Sequence, residues 1–191
     1  NQCEPFCRIV YLRHPLQKST HKSNTGRHYQ TSECLKHCIA EELLYQTERL
    51  LSSDETAFVG QYLQQQIEQW AAHGAPLLGA FQIIQNRFII VAADEQQNAA
   101  SGCSIDASGR WFKELTQHLN VNFFDRSIAY FKGDTIETVE MLKIRGLVTS
   151  GEITPETPIV NTLVATVAEF QQKWTLPAGD SWMARYFKQL V

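Results

Sequence analysis

Apolar positions fall into a regular rhythm only from about Leu43 onward. Phe58, Val59, Tyr62, Leu63, Ile67 and Trp70 recur at helical spacing. Ser52, with Glu55 three residues later, has the capping-box pattern that opens such a helix. Gly74 followed by Pro76 is expected to close it. Two apolar, β-branched runs come next, Ala80 to Gln85 and Phe88 to Ala93. Separated only by Asn86 and its neighbour, they read as a β-hairpin. Asp94 to Ser101 is small and polar, hence a loop. A second helix follows, with Ile105, Ser108, Phe112, Leu115 and Leu119 along one face. Ser127 to Phe131 and Thr135 to Val139 read as strands hinged at Gly133 and Asp134. A short helix is expected over Glu140 to Thr149, and a further strand over Ile159 to Val164. Thr166 with Glu169 repeats the capping pattern and opens a helix through Trp174. Pro177 and Gly179 break it, and Ser181 to Leu190 reads as a final amphipathic helix. Hairpins interspersed with helices place the chain in the α+β class. The expected form is a largely antiparallel sheet of four to five strands with helices packed on one face.

The first 43 residues carry no sustained periodicity, and Ser, Thr, His, Asn and Lys crowd positions 18 to 33. The chain of 191 residues is therefore read as a basic, disordered extension over 1–43 and one α+β domain over 44–191. Charge supports that division. Arg8, Arg13, Lys18, Lys22, Arg27 and Lys36 outweigh Glu4 and Glu33 by +4, which leaves −7 on the rest of a chain whose net charge is −3. An acidic body is a poor nucleic-acid surface, so none is expected to bind the folded domain. No run of ~18 apolar residues is present, so membrane insertion is not expected. Phe6 to Leu12 is too short and too interrupted for a signal peptide, and the expected compartment is the cytoplasm.

The motif search mainly excludes. A P-loop requires Gly, four residues, Gly, Lys, then Ser or Thr, because the lysine reaches the phosphates and the hydroxyl holds magnesium. Gly74 and Gly79 have the spacing but are followed by Ala80 and Phe81. Gly146 and Gly151 are followed by Glu152 and Ile153. Neither pair can do that work. The chain also lacks a Gly-x-Ser-x-Gly elbow, a His-Glu-x-x-His helix, a Cys-x-x-Cys pair and a dinucleotide fingerprint.

One short segment carries candidate chemistry. Cys103 is the only cysteine after Cys38 and lies at the start of the second expected helix. Free amides and the positive helix end would favour a thiolate there. Gly102 would let a ligand approach the backbone. The plainer reading makes Cys103 or Ser104 a helix cap, Asp106 a dipole partner in the first turn, and Cys103 a small buried residue. A third reading binds an anion at the helix start. Candidate ligand-binding residues are Asp94, Glu95, Ser101, Gly102, Ser104 and Asp106. Of these, Asp94, Glu95 and Asp106 could also face a hard cation, although no metal site is assigned. Cys3, Cys7, Cys34 and Cys38 form two Cys-x-x-x-Cys pairs, but the long, polar gap between them suits an unstructured extension better than a zinc module. Trp182, Tyr186, Phe187 and Leu190 could offer a partner surface if the last helix is undocked.

From about Tyr45 to the C-terminus the chain resembles a family of small bacterial proteins commonly labelled "ABC transporter ATPase". The resemblance rests on Tyr45 and Gln46, on Trp70, Ala72, His73 and Gly74, and on Asn86, Arg87 and Phe88. It continues through Asp94 and Glu95, then Ala100 to Ser108, then Val160, Asn161, Leu163 and Val164. It ends with Pro177 to Trp182 and Arg185. The label implies ATP hydrolysis, for which no P-loop is present. Where similar proteins tend to have His after the Ser-Trp pair, this chain has Met183, which removes that partner for Cys103. The expectation is a small-molecule or anion-binding or accessory module, with the segment Asp94 to Ser108 as its ligand site. The alternatives are a thiol-dependent enzyme using Cys103 and an interaction module using the C-terminal aromatic helix. The ligand or protein partner and any cofactor are not named by the sequence.

Overall fold

The computed structural model describes residues 10–11, 42–94 and 102–188. Most of the expected extension, including Cys3, Cys7, Cys34 and Cys38, lies outside them. Two of its residues, Val10–Tyr11, form a short strand, β1. The order then runs β2 (Glu42–Gln46), α1 (Ser53–Glu68), β3 (Ala71–Ala72), β4 (Ala75–Pro76), β5 (Leu78–Ile84) and β6 (Phe88–Asp94). The second half holds α2 (Gly102–Leu119), β7 (Ile128–Lys132), β8 (Thr135–Val139), α3 (Ile144–Thr149), β9 (Pro158–Val160), α4 (Val167–Lys173), β10 (Thr175–Pro177) and α5 (Ala184–Phe187).

The fold is α+β, and its strands pair antiparallel in each sheet. They divide into a first sheet of order β1-β5-β6-β2, a second of order β10-β9-β7-β8, and the small β3–β4 hairpin. The two larger sheets face each other. Successive residues of β6 point to opposite faces. Ile89, Val91 and Ala93 pack with Val59, Leu63, Trp111, Phe112 and Leu115 of α1 and α2. Phe88 and Ile90 pack the other way, against Ala129 and Val160 of the second sheet and against Phe170 and Trp174. The outer face of the second sheet, with Ile128, Tyr130 and Ile159, is covered by Ile144, Val148, Ala178 and Met183. Helices thus cover the outside of each sheet. A strand with both faces buried reads as a continuous apolar run, which is why Phe88 to Ala93 shows no alternation.

Local chemistry sets the boundaries. The Ser52 hydroxyl accepts from Glu55 N–H at 3.2 Å, and Glu55 accepts from Ser52 N–H at 2.8 Å, so the expected capping box is present. Arg49 adds two hydrogen bonds to the same carboxylate, at 2.7 and 2.8 Å. These contacts, the Arg49 guanidinium first, hold the Glu55 carboxyl at about 2 instead of 4.5. A carboxyl whose pKa is depressed on folding contributes stability above its ordinary pKa and loses it as pH falls through the folded value. The α1 cap should therefore weaken as pH drops from about 4.5 toward 2. An NMR titration of Glu55 is expected to give a midpoint near 2, moving up toward 4.5 in Arg49→Gln. A wild-type midpoint near 4.5 would contradict the geometry.

Helix α1 ends at Glu68, earlier than Gly74. The Trp70 N–H closes on the Ile67 carbonyl, and His73 and Gly74, at φ 51° and 81°, instead make the β3–β4 turn. The strand expected to reach Val164 stops at Val160, because Asn161 and the residues after it turn toward the Thr166 cap of α4. The final helix is reduced to four residues. Ahead of it Ala178–Asp180 forms a 3-10 turn, and Gly179 N–H is tied to the Pro155 carbonyl at 2.8 Å. Among the described residues, no helix is long and apolar enough to cross a membrane.

Candidate functional site

The segment singled out by sequence is divided by the fold. Helix α2 opens at Gly102, so Cys103 and Ser104 lie inside its first turn. Cys103 is exposed, which excludes the small buried role. Ser104 is fully buried, and its carbonyl accepts the Trp70 indole N–H at 3.0 Å. Ser104 and Ser108 are small, and they let α2 lie close to its neighbours. Asp106 is exposed on the helix surface. A Cβ added at Gly102 would meet no described residue within 4 Å, so packing against them does not require glycine there. Asp94 ends β6, but its side chain is not described, and Glu95 and Ser101 lie outside the described residues. Among the described residues, no group of three His, Cys, Asp or Glu side chains is placed to hold a metal ion.

A more developed concavity lies elsewhere. Where the chain crosses from the first sheet to the second, over Phe123 to Ser127, it leaves a groove of about 600 Å³ beside β2. The floor is rigid. Tyr45 stacks on Phe112 with ring centroids 3.6 Å apart, and its hydroxyl meets Ser108 Oγ at 3.0 Å. Burial pushes the Tyr45 pKa up, and the Ser108 hydrogen bond partly opposes this. Beside it Gln46, only 4% exposed, donates from Nε2 to Asp125 Oδ2 at 3.0 Å and to the Ser127 carbonyl at 2.9 Å. Both acceptors fix the amide orientation, which leaves Gln46 Oε1 buried and without a partner among the described residues. Asp125 Oδ1 accepts from Ser127 N–H and Oγ, at 3.1 and 2.8 Å. Its carboxylate is thereby committed to holding the crossover. It also acts at longer range on Arg87, a buried guanidinium that donates to Thr138 Oγ1 of β8 at 3.1 Å. Burial pushes the Arg87 pKa down, and Asp125 counteracts it.

The walls have a different character. Phe124, Met141 and Leu163 line the groove while 41%, 51% and 69% exposed. They are half of the large apolar side chains left exposed among the described residues. Apolar surface concentrated beside one concavity marks a binding region more strongly than scattered exposure does. Two cations stand among these walls. Arg185 has its guanidinium carbon 5.3 Å from the Trp182 ring centroid and 5.1 Å from that of Tyr186. Cation–π contact of this kind orients the guanidinium without consuming its charge. Neither Arg185 nor Arg126 forms an ion pair with a described carboxylate. Among the described residues the lining contains no His, Cys or Lys, and its hydroxyls are those of Tyr45, Ser127 and Thr162.

Trp182 had been weighed as part of an aromatic partner surface, but Arg185 was visible in the sequence only as part of a resemblance. Gln46 was too, and Asp125, Arg126, Met141 and the exposed role of Leu163 carried no sequence signal. Gln46 and Asp125 lie 79 positions apart. Comparison with protein-family models, with curated proteins and with solved structures found no match.

Proposed function

We propose that this protein is a binding module whose ligand occupies the groove between the two sheets. The ligand joins an apolar body to an anionic group. The apolar part rests on Phe124, Met141, Leu163 and Trp182, and the anion meets Arg126 and Arg185. One observation carries this reading: two arginines that have no carboxylate partner among the described residues stand among exposed apolar walls, on a floor held by part-buried hydrogen bonds. Pockets for small ligands commonly combine apolar lining with a few placed polar groups in this way. An accessory or carrier role follows more naturally from it than catalysis does.

Calorimetric titration of the full chain with octanoate, octylammonium and inorganic phosphate tests the reading. Octanoate should bind saturably, more tightly than either the cation of equal length or the anion without a tail. Hydrogen bonds to a charged group contribute about 1.5–3 kcal/mol. The double variant Arg126→Gln, Arg185→Gln should therefore weaken octanoate binding by at least about tenfold. Equal binding of octanoate and octylammonium, or an unchanged constant in the double variant, would remove the anionic half of the proposal.

A further inference from the structure

We infer that the occupant of this groove is an extended acidic–apolar peptide, which adds a strand to the free edge of β2; the inference rests on the reading of the groove as a ligand site. The main chain supplies the first argument. Among the described strands β2 ends its sheet, paired on one side with β6. Asp125 N–H donates to the Gln46 carbonyl at 3.0 Å, so the Gln46 peptide groups face away from β6. Thr47 N–H, by contrast, donates to the Arg87 carbonyl on the β6 side. Hydrogen-bonding direction alternates along a strand paired in this way. The N–H and carbonyl of Leu44 therefore face the same open edge as those of Gln46, beside the groove that Leu44 lines.

The chain has already begun this pairing. Gln46 and Phe124 form a single parallel bridge, after which Ser127 leads away into β7 of the second sheet. An added strand would continue along Leu44, whose edge groups no described residue pairs with. Sheet edges that must stay unpaired usually carry charge or proline. The described edges of the second sheet follow that rule: β8 carries Glu137 at its centre, and β10 ends in Pro177. The centre of β2 is Leu43, Leu44 and Tyr45, with neither device.

Charge chooses the partner. Arg126 and Arg185 lack carboxylate partners among the described residues, and Asp125 is committed to Gln46 and Ser127. The incoming segment must therefore bring carboxylates. The chain's own first 40 residues carry +4 and would be repelled. Alternate apolar side chains of an acidic partner would meet Phe124, Leu163 and Met141, while its main chain pairs with β2. Strand addition of this type draws affinity from main-chain hydrogen bonds and specificity from side-chain pockets.

The test uses the full chain and capped, fluorescein-labelled hexapeptides, read by fluorescence anisotropy. One peptide alternates leucine and glutamate, and a second alternates leucine and lysine. Two more are leucine–glutamate peptides N-methylated on one or the other alternate set of amides. The leucine–glutamate peptide should bind saturably and displace octanoate, with the lysine peptide at least tenfold weaker. One N-methylated peptide should lose at least tenfold while the other is little changed. If both methylated peptides bind like the parent, no strand forms and the inference fails, although the groove remains a ligand site. If octanoate binds and no peptide does, the inference fails in the same way. If neither binds, the underlying reading fails as well. A chain that is dimeric at micromolar concentration and excludes the peptide places a second copy on this edge, which also overturns the inference.

Discussion

Phe112→Ala is expected to lower the unfolding free energy by about 3–5 kcal/mol, the range for truncating a fully buried phenylalanine. Phe112 is completely enclosed between α2 and the first sheet. One ring face stacks on Tyr45, and Phe123 tilts against it with centroids 5.7 Å apart. Tyr45 and Phe123 both line the groove. The cavity left by Phe112→Ala therefore opens directly beneath the floor, and Tyr45 loses the partner that fixes its ring. Urea denaturation should show a lower midpoint at an unchanged slope. Any folded fraction should bind octanoate less well than the wild type. A loss under 1 kcal/mol would mean that the interface between α2 and β2 is loosely packed.

Gly79→Ala is expected to cost about 1–3 kcal/mol, although it adds a single methyl group. A Cβ at this position would lie 2.7 Å from Trp70 Cε3 and 3.0 Å from Ile67 Cγ2. Trp70 cannot easily withdraw. Its indole N–H is bonded to the Ser104 carbonyl, and its ring lies edge-on to Trp111 at 5.2 Å. Ile67 is buried in the same cluster. The strain must pass into the start of α2 or into the end of α1. Gly109 is the control: a Cβ there meets nothing within 4 Å, and Gly109→Ala in mid-helix should be neutral or slightly stabilising. Paired thermal melts of the two variants decide the matter. Equal melting temperatures would contradict the close approach.

Much of the fold could be read from the chain because its causes are local. The Ser52–Glu55 box, the apolar face of α2 from Ile105 to Leu119 and the run Phe88 to Ala93 each announce themselves within a single short stretch of chain. The division into two facing sheets could not be read. It depends on which face of β6 meets the second sheet, and a strand buried on both sides gives no alternation to reveal that. Strand β2 was missed because Tyr45 and Gln46 resemble a lead-in to α1 until their pairing with Ile89 and Phe88 is known. Gly79 had been weighed only as half of a failed phosphate-binding spacing. Its actual constraint is the Trp70 ring, which no spacing rule contains.

The candidate site was the least legible part. Sequence reasoning favoured Cys103 and its neighbours because glycine, thiol and helix start adjoin one another in the chain. The fold leaves Cys103 on the surface, turns Ser104 inward to receive Trp70, and sends Asp106 to the exterior. The groove instead gathers Tyr45 and Gln46, Asp125 and Arg126, Met141, Leu163, and finally Trp182 and Arg185. These come from five separate stretches of chain, and only tertiary structure brings them together. Even Gln46, an unremarkable polar residue at a strand end, matters because it joins the first sheet to the crossover through Asp125 and Ser127.

Heteronuclear NMR of the full chain during an octanoate titration tests the central claim most directly, because it reports where the ligand sits. The account predicts saturable shifts of the Trp182 indole N–H, the Met141 methyl and the Leu44 and Arg126 amides, with the Cys103 and Asp106 amides unmoved. Shifts confined to the first turn of α2, with the groove signals unchanged, would contradict it and return the site to the segment around Cys103.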